Sequence, residues 1–174
     1  MPIYTRTHTV RSVFVTGLQN AHAVERQALA LIDRQLDRLV HYPEIAERLR
    51  AHRAETEGQL RRLEEILGSL NETHSSWRDA AMSLMGNIAA LSNSLAGDEV
   101  LKNQIVNHAF ENFEIATYTS LIALAEAGDF AAARPLLEAT LREEEAMAQW
   151  VRDSLAGLTL KYVGLRAEGR QASH

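Results

Sequence analysis

The chain has 174 residues, of which 46% are apolar and 24% are charged, and its formal net charge at pH 7 is -5. This length suits one domain with a packed core, and the negative charge argues against a nucleic-acid partner. The sequence contains no cysteine, which excludes disulfides and thiolate metal sites. No apolar run approaches the ~20 residues that cross a membrane. Because the N-terminal segment also lacks an apolar signal core, we expect a soluble, cytoplasmic protein that does not enter a membrane.

Apolar residues recur at spacings of three and four in four long segments, which predicts four long helices. The predicted helices run from Thr9 to Val40, Glu44 to Leu67, Glu99 to Ala127 and Phe130 to Leu155. A shorter helix rich in Ala, Met and Leu, from about Trp77 to Leu95, separates the two helical hairpins. This layout predicts an all-α, ferritin-like four-helix bundle with a crossover helix. A simple five-helix array is the alternative.

Proline and glycine mark the ends of the predicted helices. Pro43 suits the first turn of the second helix, and Gly128 with Asp129 forms a C-cap and N-cap pair between the last two helices. Pro135 is expected to kink or delay the last helix. We expect an N-terminal arm over residues 1–9, the bundle over residues 10–156 and a C-terminal tail over residues 157–174. That tail is expected to be partly disordered or to pack on a neighbour, and its apolar residues favour a homodimer.

Acidic residues interrupt the apolar stripes near the middle of each long helix. In the first hairpin, Glu25 and Glu55 lie at similar distances from the predicted loop, and in the second hairpin so do Glu111 and Glu144. A mismatch of four residues corresponds to only ~6 Å along a helix. All four helices can therefore bring a carboxylate to one level of the bundle.

Three histidines, His22, His52 and His108, each precede a glutamate by three residues, so each pair lies on one helix face. Di-iron bundles usually contain Glu-x-x-His, and the reversed order here presents the two side chains differently. His52 is the best ligand candidate, whereas a structural role is expected for the other histidines. Carboxylate and imidazole ligands at one level suit iron or manganese. A buried polar network with nearby Arg, Gln and Thr is the alternative.

Motifs on several helices resemble the YciE/YciF-like bacterial stress proteins. The resemblance rests on AHAVERQALA from Ala21, HRAETEGQLRRLEEIL from His52 and NFEIATYTSLIALAEAGDFAAARPLLEATLREEE from Asn112, and it covers about residues 10–155. It implies a ferritin-like bundle that is often dimeric, is associated with stress responses and carries a dinuclear metal site. The ligand positions that it implies are Glu25, Glu55, Glu111 and Glu144, with His52 and Glu114 close by.

Two departures from the usual ferritin-like pattern affect the predicted site. Met147 follows Glu144 by three residues, where a histidine is usual, and Gly58 stands at the same offset from Glu55. The fourth helix is therefore expected to supply a single ligand. For Tyr118 we expect a structural role, with a hydrogen-bond donor or radical site as alternatives.

Two functional hypotheses follow from the predicted site. The first is a non-haem protein with a carboxylate-bridged di-iron or manganese centre and oxidase- or peroxidase-like activity. The second is a metal-poor, dimeric helical scaffold of the stress response.

Overall fold

The computed structural model describes residues 3–72, 99–170 and 172, which form four long helices. In chain order these are α1 (Ile3–Leu36), α2 (Pro43–Ser69), α3 (Glu99–Ala127) and α4 (Arg134–Ala167). Helices α1 and α2 form one hairpin and α3 and α4 the other, while α1 also packs on α3 and α2 on α4. The described residues contain no strand, and the predicted all-α, four-helix bundle is confirmed. The predicted crossover helix lies outside the described residues.

The first helix is shifted towards the N-terminus relative to its prediction. It begins at Ile3, so the described part of the predicted arm is helical. Arg11 fixes this end to the end of α2, because its Nη2 donates to the carbonyl oxygen of Leu70 at 2.7 Å. The helix ends at Leu36 instead of Val40, and a turn leads to Pro43, whose ring disfavours helix in the preceding residue.

The last helix begins at Arg134, later than predicted, with Pro135 in its first turn. A missing N–H group does no harm there, so proline delays the helix, as expected. Asp129 has a φ of 57°, and the Phe130 amide donates to the Ala125 carbonyl at 2.9 Å. Asp129 therefore ends α3 in a left-handed turn and is not the N-cap of α4.

Helix α4 continues to Ala167, well beyond its predicted end. Leu158 and Leu165 are buried in an apolar cluster that also contains Tyr42. The Tyr42 hydroxyl donates to the carbonyl oxygen of Ala172 at 2.6 Å. Most of the predicted tail is thus a helix that packs on the α1–α2 connection of its own chain, because its apolar residues recur at helical spacing.

Two apolar clusters lie towards opposite ends of the bundle. One contains Phe14, Leu18, Leu63, Leu67, Leu121 and Leu137, and the other contains Ile32, Ile45, Leu49, Val100, Met147 and Val151. At Gly17, α1 and α3 approach closely, since a Cβ atom there would lie 2.8 Å from Cδ2 of Leu121. None of the described helices has an apolar stretch sufficient for a membrane crossing. The two clusters leave a level between them that polar residues fill.

Candidate metal centre

A layer of buried polar side chains separates the two apolar clusters, and each helix contributes to it. Its ionisable members, all at most 4% exposed, are Glu25 on α1, His52 on α2, Glu111 and Glu114 on α3, and Glu144 on α4. These residues occupy positions of the inward-facing stripes, so helix formation alone directs them into the core. Five ionisable groups in a dry layer need compensating partners.

Three of these residues lie close enough together to form a candidate metal site. His52, Glu111 and Glu144 each offer one ligand atom, and the three atoms lie within 4.8 Å of one another. The Nε2 atom of His52 lies 3.4 Å from Oε2 of Glu111 and 3.8 Å from Oε2 of Glu144. One imidazole and two carboxylates are a donor set that suits iron, manganese or zinc.

The buried carboxylates keep oxygen atoms without a hydrogen-bond partner among the described residues. These atoms are Oε2 of Glu25, Oε2 of Glu111, Oε1 of Glu114 and Oε2 of Glu144. Buried polar atoms in proteins are nearly always paired, and an unpaired one costs about 1–3 kcal/mol. Several such oxygens in one layer fit a bound cation.

Neutral side chains hold the other oxygens of two carboxylates. The Tyr118 hydroxyl donates to Oε1 of Glu25 at 2.5 Å. The Gln59 amide donates to Oε1 of Glu144 and, at 3.0 Å, to Oε2 of Glu143. Each contact fixes one oxygen and leaves the second oxygen of the same carboxylate for another ligand.

His52 is oriented by Glu55, which lies closer to the surface. The Nδ1 atom of His52 lies 2.9 Å from Oε2 of Glu55, and Arg48 donates to the same carboxylate at 3.1 Å. Because Glu55 accepts the proton on Nδ1, Nε2 faces Glu111 and Glu144. The structure therefore places Glu55 behind the imidazole, with its side chain 32% exposed, and outside the group of three.

Burial and mutual repulsion alter the protonation of the layer. Burial raises the pKa of Glu25 to about 8, against the opposing effect of the Tyr118 hydrogen bond. Burial, and then neighbouring carboxylates, raise the pKa values of Glu114 and Glu144 well above the ordinary value. Burial lowers the pKa of His52, but the neighbouring carboxylates of Glu111 and Glu55 outweigh this effect and raise that pKa to about 9. Without a metal, protons neutralise this layer, and a cation would displace them.

The remaining sequence candidates lie outside the group of three. His22 pairs with Glu64, with Nε2 and Oε1 3.1 Å apart, and His108 lies beside the exposed Asn112. Met147 is fully buried in the apolar cluster next to the layer. Sequence reasoning missed the role of Gln59, although its place in the inward-facing stripe of α2 at the level of Glu144 was a usable signal.

The fold and the buried layer together define a ferritin-like helical bundle with a group of possible metal ligands at its midpoint. Residues 9–164 match the family described as a domain of unknown function, DUF892. The match spans most of the chain, and the protein belongs to this family.

Similar proteins agree with this assignment. Protein YciF of Escherichia coli is 27% identical over 169 residues, which cover 93% of this chain and 97% of YciF. A crystal structure from Xanthomonas campestris has a TM-score of 0.75 and 25% identity, covering 91% of this chain and 99% of that chain. The crystal structure described as the E. coli stress protein YciF has a TM-score of 0.67 and 24% identity, covering 84% and 94% of the two chains. The predicted YciF-like family is therefore confirmed.

Proposed function

We propose that this YciF-like protein binds iron or manganese in the polar layer of its bundle and acts in the stress response. The observation that carries the proposal is the group of His52, Glu111 and Glu144, three buried ligands on three helices with their ligand atoms within 4.8 Å of one another. The oxygens without hydrogen-bond partners in the same layer support it, since a cation would satisfy several of them.

In this proposal each residue of the layer has a separate task. His52, Glu111 and Glu144 hold the first ion. Glu25 and Glu114 would supply oxygens for a second ion, since after burial the charge of Glu25 is the largest cause of the raised pKa of Glu114. Glu55 fixes the ring of His52, and the neighbouring apolar clusters keep bulk water out. Carboxylate-bound iron or manganese would supply oxidase- or peroxidase-like chemistry towards dioxygen or peroxide.

Metal titration of chelator-stripped protein tests the proposal. We expect the wild type to bind Mn(II) or Fe(II) in a stoichiometric amount, as followed by calorimetry. Glu144→Gln should lower the affinity by tenfold or more, on the order of a lost first ligand. Glu145→Gln removes the same charge from the exposed neighbour and is the matched control, with unchanged binding expected. Equal binding by all three proteins would contradict the proposed site.

One observation favours the alternative of a dimeric scaffold. Residues 12–24 of α1 contain no Asp, Glu, Lys or Arg, and within residues 103–125 of α3 the charged residues are Glu111 and Glu114, both buried. The outer side of this helix pair is therefore uncharged, and it exposes Ile105 and Phe113. Such a surface suits an interface between two copies of the chain. A dimer of this kind could also hold a metal ion in each polar layer.

A further inference from the structure

A surface pocket of about 350 Å³ lies in the seam between α1 and α2. Its lining includes the ionisable residues His22, Arg26, Asp33 and Glu64. Asp33 is engaged by Arg53, whose Nε lies 2.7 Å from its carboxylate. Glu64 instead faces His22, and its side chain is 44% exposed. The pocket thus presents a solvent-exposed carboxylate next to an imidazole, two groups that bind divalent cations.

Burial increases stepwise from this pocket towards the polar layer. The Oε1 atom of Glu64 lies 3.1 Å from Nε2 of His22, whose side chain is only 9% exposed. Glu25 follows His22 by three residues, on the same face of α1 and one turn on. Glu25 is 1% exposed, and its Oε2 has no hydrogen-bond partner among the described residues. Three oxygen or nitrogen ligands therefore succeed one another from solvent to the layer.

Two other carboxylates also connect the layer with the surface, but an arginine contacts each of them. Arg48 donates to Glu55, and Arg62 donates to Glu143. A guanidinium group that is bonded directly to a carboxylate occupies the oxygen atoms that an approaching cation would need and repels that cation. Of the three carboxylates Glu55, Glu64 and Glu143, Glu64 is the one whose ion pair among the described residues is with a histidine and not with an arginine as well.

We propose that the pocket is the route by which divalent cations reach the buried layer, with Glu64 and His22 as successive transient ligands. This inference rests on the proposed metal site. The exposed carboxylate attracts the hydrated ion, and the imidazole replaces part of its water before Glu25 receives it. Arg26, in the same pocket, opposes the approach of cations through its positive charge.

The rate of Co(II) uptake by the chelator-stripped full chain tests this route, because bound Co(II) absorbs visible light and can be followed by stopped flow. Glu64→Gln and His22→Asn should each slow uptake about threefold or more, and Arg26→Gln should accelerate it, as expected for local electrostatic attraction and repulsion. The double variant should be at least as slow as the slower single variant, because the two residues act in succession on one path. Final stoichiometry and affinity should stay at their wild-type values. Glu65→Gln, the same change at the exposed neighbour, is the control.

The outcomes separate the route from the site. Uptake rates equal to those of the wild type in the Glu64 and His22 variants, with normal final occupancy, would overturn the route and leave the proposed site standing. A lower final stoichiometry in these variants would also overturn it, since the two residues would then be ligands of the bound ion. A wild type that takes up no Co(II), Mn(II) or Fe(II) would overturn both proposals.

Discussion

Glu25 combines deep burial with a pKa of about 8, against an ordinary value of 4.5. The metal-free folded protein therefore keeps a proton that the unfolded chain releases, so this group's contribution to stability is lost as pH rises from 4.5 to 8. The glutamine side chain of Glu25→Gln does not titrate, so the free energy of unfolding of this variant should fall less than that of the wild type as pH rises through this range. Above the window we expect the metal-free variant to be more stable than the wild type by about 1–4 kcal/mol.

Urea unfolding of the chelator-stripped proteins at both ends of this pH window measures the effect of Glu25→Gln. Parallel stability profiles for the variant and the wild type would mean that Glu25 does not titrate in this range. The Tyr118 hydrogen bond to Glu25 would then dominate over burial.

Glu55 tests the difference between a ligand and a residue that orients a ligand. Its carboxylate accepts from Nδ1 of His52 and from Arg48. Glu55→Ala should leave the metal stoichiometry unchanged and lower the affinity by about 10- to 100-fold, as found for partners of ligating histidines. Glu57→Ala, on the exposed side of α2, is the control. Titration calorimetry of both variants measures the metal stoichiometry and affinity. If Glu55→Ala binds one metal ion fewer than the wild type, Glu55 is a ligand.

Helix α4 contributes Glu144 and Met147 at a spacing where ferritin-like sites have Glu-x-x-His. Met147 is fully buried among apolar residues beside the polar layer. A thioether is a poor ligand for iron or manganese, so Met147→His should raise the affinity about tenfold if the imidazole reaches the ion. The gain should depend on the adjacent ligand and disappear in the double variant with Glu144→Ala. Binding that is unchanged by Met147→His would show that this turn of α4 does not face the ion.

The ends of the helices show where local sequence signals were sufficient. The bounds predicted for α3 agree with the structure, and Pro135 marks the start of α4 within a residue. The predicted end of α4 at Leu155 was wrong, because Gly157 and the polar residues near the C-terminus suggest a tail. Leu158 and Leu165 bury against Tyr42 instead, a tertiary contact between residues far apart in the chain, which local propensity does not encode.

Helical periodicity also gave most of the candidate site. It placed Glu25, Glu111, Glu114 and Glu144 in the core, because inward-facing positions follow from spacing alone. It also placed His52 in the inward-facing stripe of α2, with Glu55 on the flank of that face. It could not show that the Glu55 side chain contacts Arg48 and Nδ1 of His52 instead of joining the other carboxylates. Whether a side chain on the flank of a helix joins the site depends on its packing against the neighbouring helices, which periodicity does not describe. The identity of the metal ligands therefore stays a prediction.

At the scale of the whole molecule, the uncharged outer side of α1 and α3 predicts a homodimer. Phe113 is 46% exposed on this side, and an apolar groove bounded by the two helices adjoins it. Phe113→Glu places a charge on both copies at the contact and should shift the protein to a monomer. Sedimentation equilibrium measures this shift. Leu160→Glu, at the exposed side of α4, is the control, and a monomer produced by that variant alone would move the interface to α4.

The central claim is that the polar layer holds a metal ion, and anomalous diffraction from crystals of the full chain grown with Mn(II) or Fe(II) tests it most directly. We predict an anomalous peak between Nε2 of His52 and the carboxylates of Glu111 and Glu144, at a metal–nitrogen distance of about 2.0–2.3 Å. A layer in which these groups contact only one another or water, with no anomalous peak, would contradict the claim and leave the dimeric scaffold as the function that the structure supports.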